Sequence, residues 1–397
     1  MLMSAVDKKI EWPAGFRSAG VAAGVKRDGS LDMALIVSDQ AASAAGVFTT
    51  NQVCAAPVKV CRAHLEQPEA RAIVMNSGVA NACTGSVGMT SALAMASGMA
   101  SELDCLPEEV LVCSTGKIGP QLPMEAIGSG LSSLAREAAT DQLGQTALAM
   151  MTTDTRPKAA MREVDVKGER VRLTGLAKGA GMIEPNMATM LAFVTTDAGV
   201  EAGALQGALK GVVDRSFNRI TVDGDQSTND SVLMLANGAS GVVLEGGAEG
   251  WVAFVAALES LCFELAMMIV HDGEGADRFV TVKVEGAESD AAADAAARSV
   301  ANSLLNKTAW AGTYPDWGRI MDAIGYSSAR VNEELVSIWY GQTVAVEGGV
   351  QAETLSEKLV EAVSEKELLI RIALGLGAGE AVVYTCNCTE EYVRINV

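Results

Sequence analysis

A chain of 397 residues is longer than one compact core accommodates, so two domains or lobes are the default. A 49% hydrophobic content with 40 glycines describes a packed, turn-rich globular protein, and 4% aromatics leave Ala, Val, Leu, Ile and Met to build its core. The formal charge of −19, without any basic patch, excludes a nucleic-acid backbone as partner.

The N-terminal MLMSAVDKKIEW lacks the apolar centre of a signal peptide, and Asp7 and Glu11 disfavour an organellar transit peptide, so the cytoplasm is the expected location. Strands are expected at Leu31–Ser38 and Ala45–Thr49, then at Ala70–Met75, which empties into the Asn76-Ser77-Gly78 loop. Met89–Glu102 follows as a closely packed helix. Glu109–Cys113 is a strand ending in Ser114-Thr115-Gly116, whose backbone amides could face an anion; a plain turn explains the spacing equally well.

Met124–Ala139 reads as a helix, and Glu163–Leu173 and Met190–Thr196 as strands flanking the glycine-bracketed stretch Lys178–Thr189. Val200–Phe217 is an amphipathic helix and Ile220–Asp230 an acidic loop, which fails as a calcium loop because Thr228 stands where glycine is required. The longest apolar span, Trp251–Val270, carries Glu259 and Glu264 near its middle and is read as a core-facing helix, not a membrane span. Arg278–Val284 is a strand, and a lobe boundary is placed near Gly286, giving lobes 1–285 and 286–397. Helices at Glu288–Asn306 and Glu353–Ser364, strands at Leu368–Leu374 and Ala381–Thr385, and a tail at Glu391–Val397 complete the chain. The class is α+β with layered sheets.

Eight cysteines without a CxxC pair indicate reduced thiols and no metal ribbon. Two histidines, His64 and His271, leave little room for a Ser-His-Asp enzyme, and no phosphate loop, zinc helix or dinucleotide fingerprint occurs. A hydroxyl nucleophile here needs another base. One solution is a threonine whose own α-amine, with an ordinary pKa of about 7.7–8.0, is freed by peptide cleavage.

An ordered set of motifs carries a resemblance: GVFTTNQVCAAPV (Gly46–Val58), NSGVANACTG (Asn76–Gly85), STGKIG (Ser114–Gly119), MTTDTRPK (Met151–Lys158), AKGAGMIEPNMATMLAFVTTDA (Ala177–Ala198), VDGDQSTNDS (Val222–Ser231), DGEGA (Asp272–Ala276), DWGRI (Asp316–Ile320) and EEYVRIN (Glu390–Asn396). On these the chain resembles the ornithine acetyltransferases (glutamate N-acetyltransferases) of arginine biosynthesis, a self-processing N-terminal-nucleophile type. The resemblance implies a layered αββα-like sandwich with a smaller C-terminal α/β lobe.

It further implies self-cleavage between Ala188 and Thr189, with the two pieces assembling as α2β2. Acetyl transfer from N-acetylornithine to glutamate through an acetyl-Thr189 ester is the implied activity. Thr115 and Gly116 would form the oxyanion hole, and Thr152, Lys178, Thr189, Glu274 and Asn396 the substrate contacts. Ornithine and glutamate each carry an α-amine and an α-carboxylate, so a cation, an anion and hydrogen-bonding groups are all wanted there. No cofactor or metal is implied, although acetyl-CoA could be a co-substrate. The alternative is an autoprocessing amidase or aminopeptidase with water as acceptor. Val79 and Asp277 depart from the family pattern, away from Thr189 in sequence.

Overall fold

The computed structural model describes residues 10–166, 168–184, 190–247 and 249–397. They divide into two compact units: one holds the described residues up to Asn218 together with Asp225–Ile269, the other Arg219–Gly224 and Val270–Val397. The second unit begins ahead of the boundary inferred near Gly286, because the strand containing Gly286 is an interior strand of that unit's sheet.

The first unit's strands are β1 (Phe16–Val21), β2 (Met33–Phe48), β3 (Glu69–Val79), β4 (Val110–Lys117), β5 (Lys158–Val166), β6 (Glu169–Lys178), β7 (Leu191–Thr196), β8 (Gly199–Val200), β9 (Ser231–Ala236) and β10 (Val243–Leu244). Eight of these form one mixed sheet in the order β4-β3-β2-β9-β7-β6-β5, with β1 on β2, while β8 and β10 pair separately. The long strand β2 joins its two arms. Its first half pairs with β1 and β3, its second half with β9, and the register breaks between Val37 and Ala42. The arms fold face to face: Lys178 on β6 touches Thr115 on β4, although four strands separate them in the sheet. This is the layered sandwich expected.

Helices α1 (Ala56–His64), α2 (Gly85–Leu103), α3 (Met124–Glu137), α4 (Leu143–Met150), α5 (Ala202–Arg215) and α6 (Trp251–His271) accompany the sheet. By length and composition alone α6 could cross a membrane, since an 18-residue window reaches a mean hydropathy of 2.0. Its stripe of Phe254, Leu258, Leu261, Leu265 and Ile269 is nevertheless fully buried, spaced as one helical face. Leu261 and Leu265 fill the space where a side chain at Gly175 of β6 would lie. Glu259 and Glu264 pair with Arg215 (2.7 Å) and Arg162 (2.5 Å). One face of α6 is thus packed on the sheet, as expected of a core-facing helix.

The second unit has a sheet of β11 (Phe279–Ala287), β12 (Ser337–Tyr340), β13 (Thr343–Glu347), β14 (Val350–Gln351), β15 (Glu367–Ala373) and β16 (Gly379–Cys386), ordered β14-β13-β12-β15-β11-β16. With it come α7 (Asp290–Asn302), α8 (Leu304–Ala311), α9 (Trp317–Gly325), α10 (Ser356–Val363) and α11 (Glu390–Ile395). Ser289 caps α7 through the Ala292 N–H, and Ala293, Ala296, Ala297, Val300 and Ala301 present a fully buried small-residue face that packs on β11 and β16.

Several boundaries differ from the sequence reading. The two segments at Leu31–Ser38 and Ala45–Thr49 are one strand, β2. Glu163–Leu173 is not a single strand but part of the β5–β6 hairpin, turning at Gly168 with φ of 86°. The helix at Glu288–Asn306 is broken at Ser303, which ends α7 and caps α8. The tail at Glu391–Val397 contains α11.

Asp230, just before β9, is buried, and among the described residues neither carboxylate oxygen completes a hydrogen bond. Burial pushes its carboxyl well above the usual range; the nearby Met190 N–H and the Lys178 charge act in the opposite sense but do not prevail. A carboxyl raised in the folded state makes its full contribution below the unfolded pKa of about 3.9 and loses it as pH rises towards the folded value. Asp230→Asn should therefore gain on the wild type in urea unfolding midpoint between about pH 4 and pH 8, with the smallest difference at the acid end. A difference independent of pH would refute the neutral carboxyl.

Candidate active site

The parallel β3–β4 ladder continues past its apolar core into two polar tripeptides that the sequence reading treated as loops. Asn76 lies opposite Ser114, Ser77 opposite Thr115, and Gly78 opposite Gly116. The polar groups are absorbed locally: Ser114 Oγ donates to Asn76 Oδ1 (2.6 Å), Asn76 Nδ2 to the Val79 carbonyl (2.8 Å) and Ser77 Oγ to the Ala149 carbonyl (2.7 Å). Gly116 has φ of 129°, and a Cβ there would stand 2.3 Å from the Gly78 carbonyl carbon. Only glycine fits. Asn229 ties the two strand ends, its Nδ2 donating to the carbonyls of Ala80 (2.6 Å) and Ser114 (2.8 Å).

Across from these ends lies Lys178, the last residue of β6 and 5% exposed. Its ammonium donates to Thr152 Oγ1 (2.8 Å) and, at 3.5 Å, to Thr115 Oγ1. Thr152 is half-buried and Thr153 exposed. Beneath them Asp154 accepts from Lys158 Nζ (2.7 Å), the Gly179 N–H (2.7 Å) and the Thr152 N–H (3.0 Å), with Lys178 Nζ at 3.8 Å. Burial alone would raise the Asp154 carboxyl; the charges of Lys178 and Lys158 and the Gly179 N–H overcome it and hold the group far below the usual carboxylate range.

Thr115, Gly116, Thr152 and Lys178 are thus brought together at one place in the first unit. Ala188 and Thr189 lie outside the described residues. The chain re-enters the described structure at Met190, whose carbonyl accepts the Ser231 N–H (3.2 Å), and β7 begins at Leu191, paired with Lys178.

In the second unit Glu274, 7% exposed, accepts from Asn396 Nδ2 (2.6 Å), which also donates to the Tyr392 carbonyl (2.9 Å). Gly275, at φ of 67°, lets the turn meet α11: a Cβ there would lie 2.5 Å from the Tyr392 nitrogen. Thr389 Oγ1 donates to the Gly275 carbonyl (2.6 Å). Glu274 and Asn396, 122 positions apart, therefore meet directly.

Asp154 and Lys158 are not singled out by the sequence; the one signal is an acid and a base four positions apart inside MTTDTRPK. Asn229 and Asp230, which close the expected acidic loop, are 6% and 2% exposed. Among the described residues no group of three or more His, Cys, Asp or Glu is arranged to hold a metal ion.

A layered α/β unit that gathers two lysines, a buried carboxylate and two threonine hydroxyls has the equipment of an enzyme acting on a small, anionic, hydrogen-bonding substrate. The chain matches the ArgJ family over residues 17–397. It is 48% identical to the arginine biosynthesis bifunctional protein ArgJ of Geobacter sulfurreducens, covering 96% of this chain and 98% of the relative. The protein of that name from Chlorobaculum tepidum is 45% identical, covering 98% and 96%. The crystal structure of Bacillus halodurans ArgJ is similar at 40% identity with a TM-score of 0.50, covering 52% of this chain and 99% of that one. The chain belongs to the ArgJ family.

Removing the central anion leaves buried cations without their partner. Asp154→Asn should lower stability by about 3–5 kcal/mol, the usual effect of breaking a buried pair. In the wild type that contribution is complete above the unfolded pKa of about 3.9 and disappears as pH falls through the depressed folded value. Urea melts at pH 7 and pH 3 test both: the difference between wild type and variant should be large at the first and smaller at the second.

Proposed function

We propose that the chain is a glutamate N-acetyltransferase that carries acetyl from N2-acetylornithine to glutamate in arginine biosynthesis, in the cytoplasm, after cutting itself between Ala188 and Thr189. The observation that carries this reading is the lysine that bridges two threonine hydroxyls: Lys178 Nζ at 2.8 Å from Thr152 and 3.5 Å from Thr115, opposite the strand that starts two residues after Thr189. Family membership over nearly the whole chain supports the substrate assignment.

In the proposed chemistry the freed α-amine of Thr189 takes the proton of its own hydroxyl as Oγ attacks the acetyl carbonyl. Such general base assistance contributes typically ~10²–10⁴-fold. Negative charge then builds on the carbonyl oxygen, and Thr115 and Gly116 stabilise it, each donor typically worth about 2.7–4 kcal/mol. The tetrahedral intermediate collapses as the ammonium of Thr189 returns the proton to the departing ornithine nitrogen, leaving an acetyl ester on Thr189. The amine of glutamate attacks that ester in the same sense and restores the hydroxyl. Lys178 and Thr152 suit a substrate carboxylate, and Glu274 with Asn396 a substrate amine. No cofactor takes part, and the cut halves assemble as α2β2.

Thr189→Ala tests the centre of this reading. Intact mass under denaturing conditions should give one uncut chain for the variant and two pieces for the wild type, one beginning Thr-Met-Leu-Ala-Phe. Transfer to glutamate should fall below detection in the variant. Wild-type acetate release that is rapid and needs no glutamate would favour an amidase instead.

A further inference from the structure

The β1–β2 connection holds a lysine that the proposed chemistry does not use. Asp32, fully buried at the start of β2, accepts from the backbone N–H groups of Ala23 (2.7 Å), Gly24 (3.0 Å) and Lys26 (2.9 Å). One carboxylate thus fixes the whole loop, and with it the direction of the Lys26 side chain. The stem of Lys26 passes over the end of β3: a Cβ on Gly78 would stand 3.2 Å from Lys26 Cγ, and Gly78 is the residue packed on Gly116.

The Lys26 ammonium donates to the carbonyls of Leu31 (2.8 Å) and of Met151 (2.8 Å), the C-cap residue of α4. Met151 directly precedes Thr152. An ammonium has three N–H donors and two are placed; among the described residues Lys26 forms no ion pair. Its surroundings explain why it is held in this way. Half-burial, helped by repulsion from Lys178, pulls the ammonium below the ordinary lysine range, against the opposing charges of Asp32, Asp28 and Asp154.

The neighbouring cations differ. Lys158 and Lys178 share the charge of Asp154, whereas Lys26 sits on neutral carbonyls. A half-buried cation on neutral carbonyls beside a hydroxyl-lined cluster is what an incoming carboxylate needs. We infer that Lys26 is a further substrate contact of this site, which its third N–H equips to take a carboxylate of the amino-acid substrate. The inference rests on the acetyl-transfer reading for the identity of that substrate. The carboxylate is either the α-carboxylate, common to N-acetylornithine and glutamate, or the second carboxylate, which only glutamate has.

Lys26→Gln keeps an N–H donor for the two carbonyls and removes the charge; Lys26→Arg keeps the charge and displaces it. With each variant checked by mass for self-cleavage and by its unfolding midpoint, Michaelis constants for N-acetylornithine and glutamate are measured separately. K26Q should raise KM by about 10–100-fold, the usual weight of a charge-assisted hydrogen bond, with kcat within about threefold. K26R should lie between K26Q and the wild type, and it carries the test alone if K26Q does not fold. A rise for both substrates assigns the α-carboxylate, and a rise for glutamate alone the second one. KM values within about twofold of wild type for both substrates, or a loss confined to kcat, would overturn the inference. If the wild type transfers no acetyl, the acetyl-transfer reading has failed; calorimetric binding of glutamate and ornithine to wild type and K26Q then decides Lys26 without turnover. Equal affinity of the two proteins for both ligands would reject it.

Discussion

Asp154 is the anion around which the first unit's polar centre is assembled. A carboxylate taken from water is retained only if its charge and its lone pairs are both answered, and here two lysines and two backbone N–H groups answer them. Those four partners come from the segment before β5, from β5 itself and from the end of β6 with the glycine that follows it. Satisfying one carboxylate therefore sets the separation of Thr152 from Lys178, and through Lys178 the separation of both from Thr115. The glycine at 179 is part of the same solution, since its N–H supplies one of the short bonds.

Much of this was legible in the sequence where local chemistry dominates. The apolar runs became strands, and the glutamates inside Trp251–Val270 marked the polar side of a helix that buries one face, where each finds an arginine. The motifs that carried the family resemblance include every residue of the Thr115, Thr152 and Lys178 cluster. What the sequence did not disclose depended on distant pairing. Asn76-Ser77-Gly78 and Ser114-Thr115-Gly116 look like loops one at a time; they are strand because each supplies the other's ladder partners. The β5–β6 turn at Gly168 was hidden among charged residues that suit a strand's solvent face as well as a turn. Asp154 and Lys158 gave no periodic signal, and their burial became evident only when β6 brought Lys178 beside them. The site's placement of Thr189 itself lies outside the described residues.

The long strand β2 explains how a polar cluster arises in a unit so rich in aliphatic residues. A single flat sheet would keep β4 and β6 four strands apart. The register break between Val37 and Ala42 lets the two halves of β2 serve different arms, and the arms close over a core that runs from Met33 and Leu35 to Phe193 and Leu233. At one margin of that closure the ends of β3 and β4 meet the end of β6. Polar tripeptides occupy the first two.

The order of strands in this sheet also has a bearing on what a break in the backbone would do. β6 and β7 are hydrogen-bonded from Leu173 opposite Thr196 to Lys178 opposite Leu191, and β2 is paired with β9 from Ser43 opposite Ala236 to Phe48 opposite Ser231. A chain opened anywhere between Lys178 and Leu191 would thus have its two parts interleaved, with the N-terminal strands β2 and β6 bracketing the C-terminal strands β9 and β7. Neither part has the eight-stranded sheet to itself. Such a pair behaves as fragments of a complementation system: the nick removes one covalent link and leaves the hydrogen-bonded ladders intact, so the parts separate only when the unit unfolds.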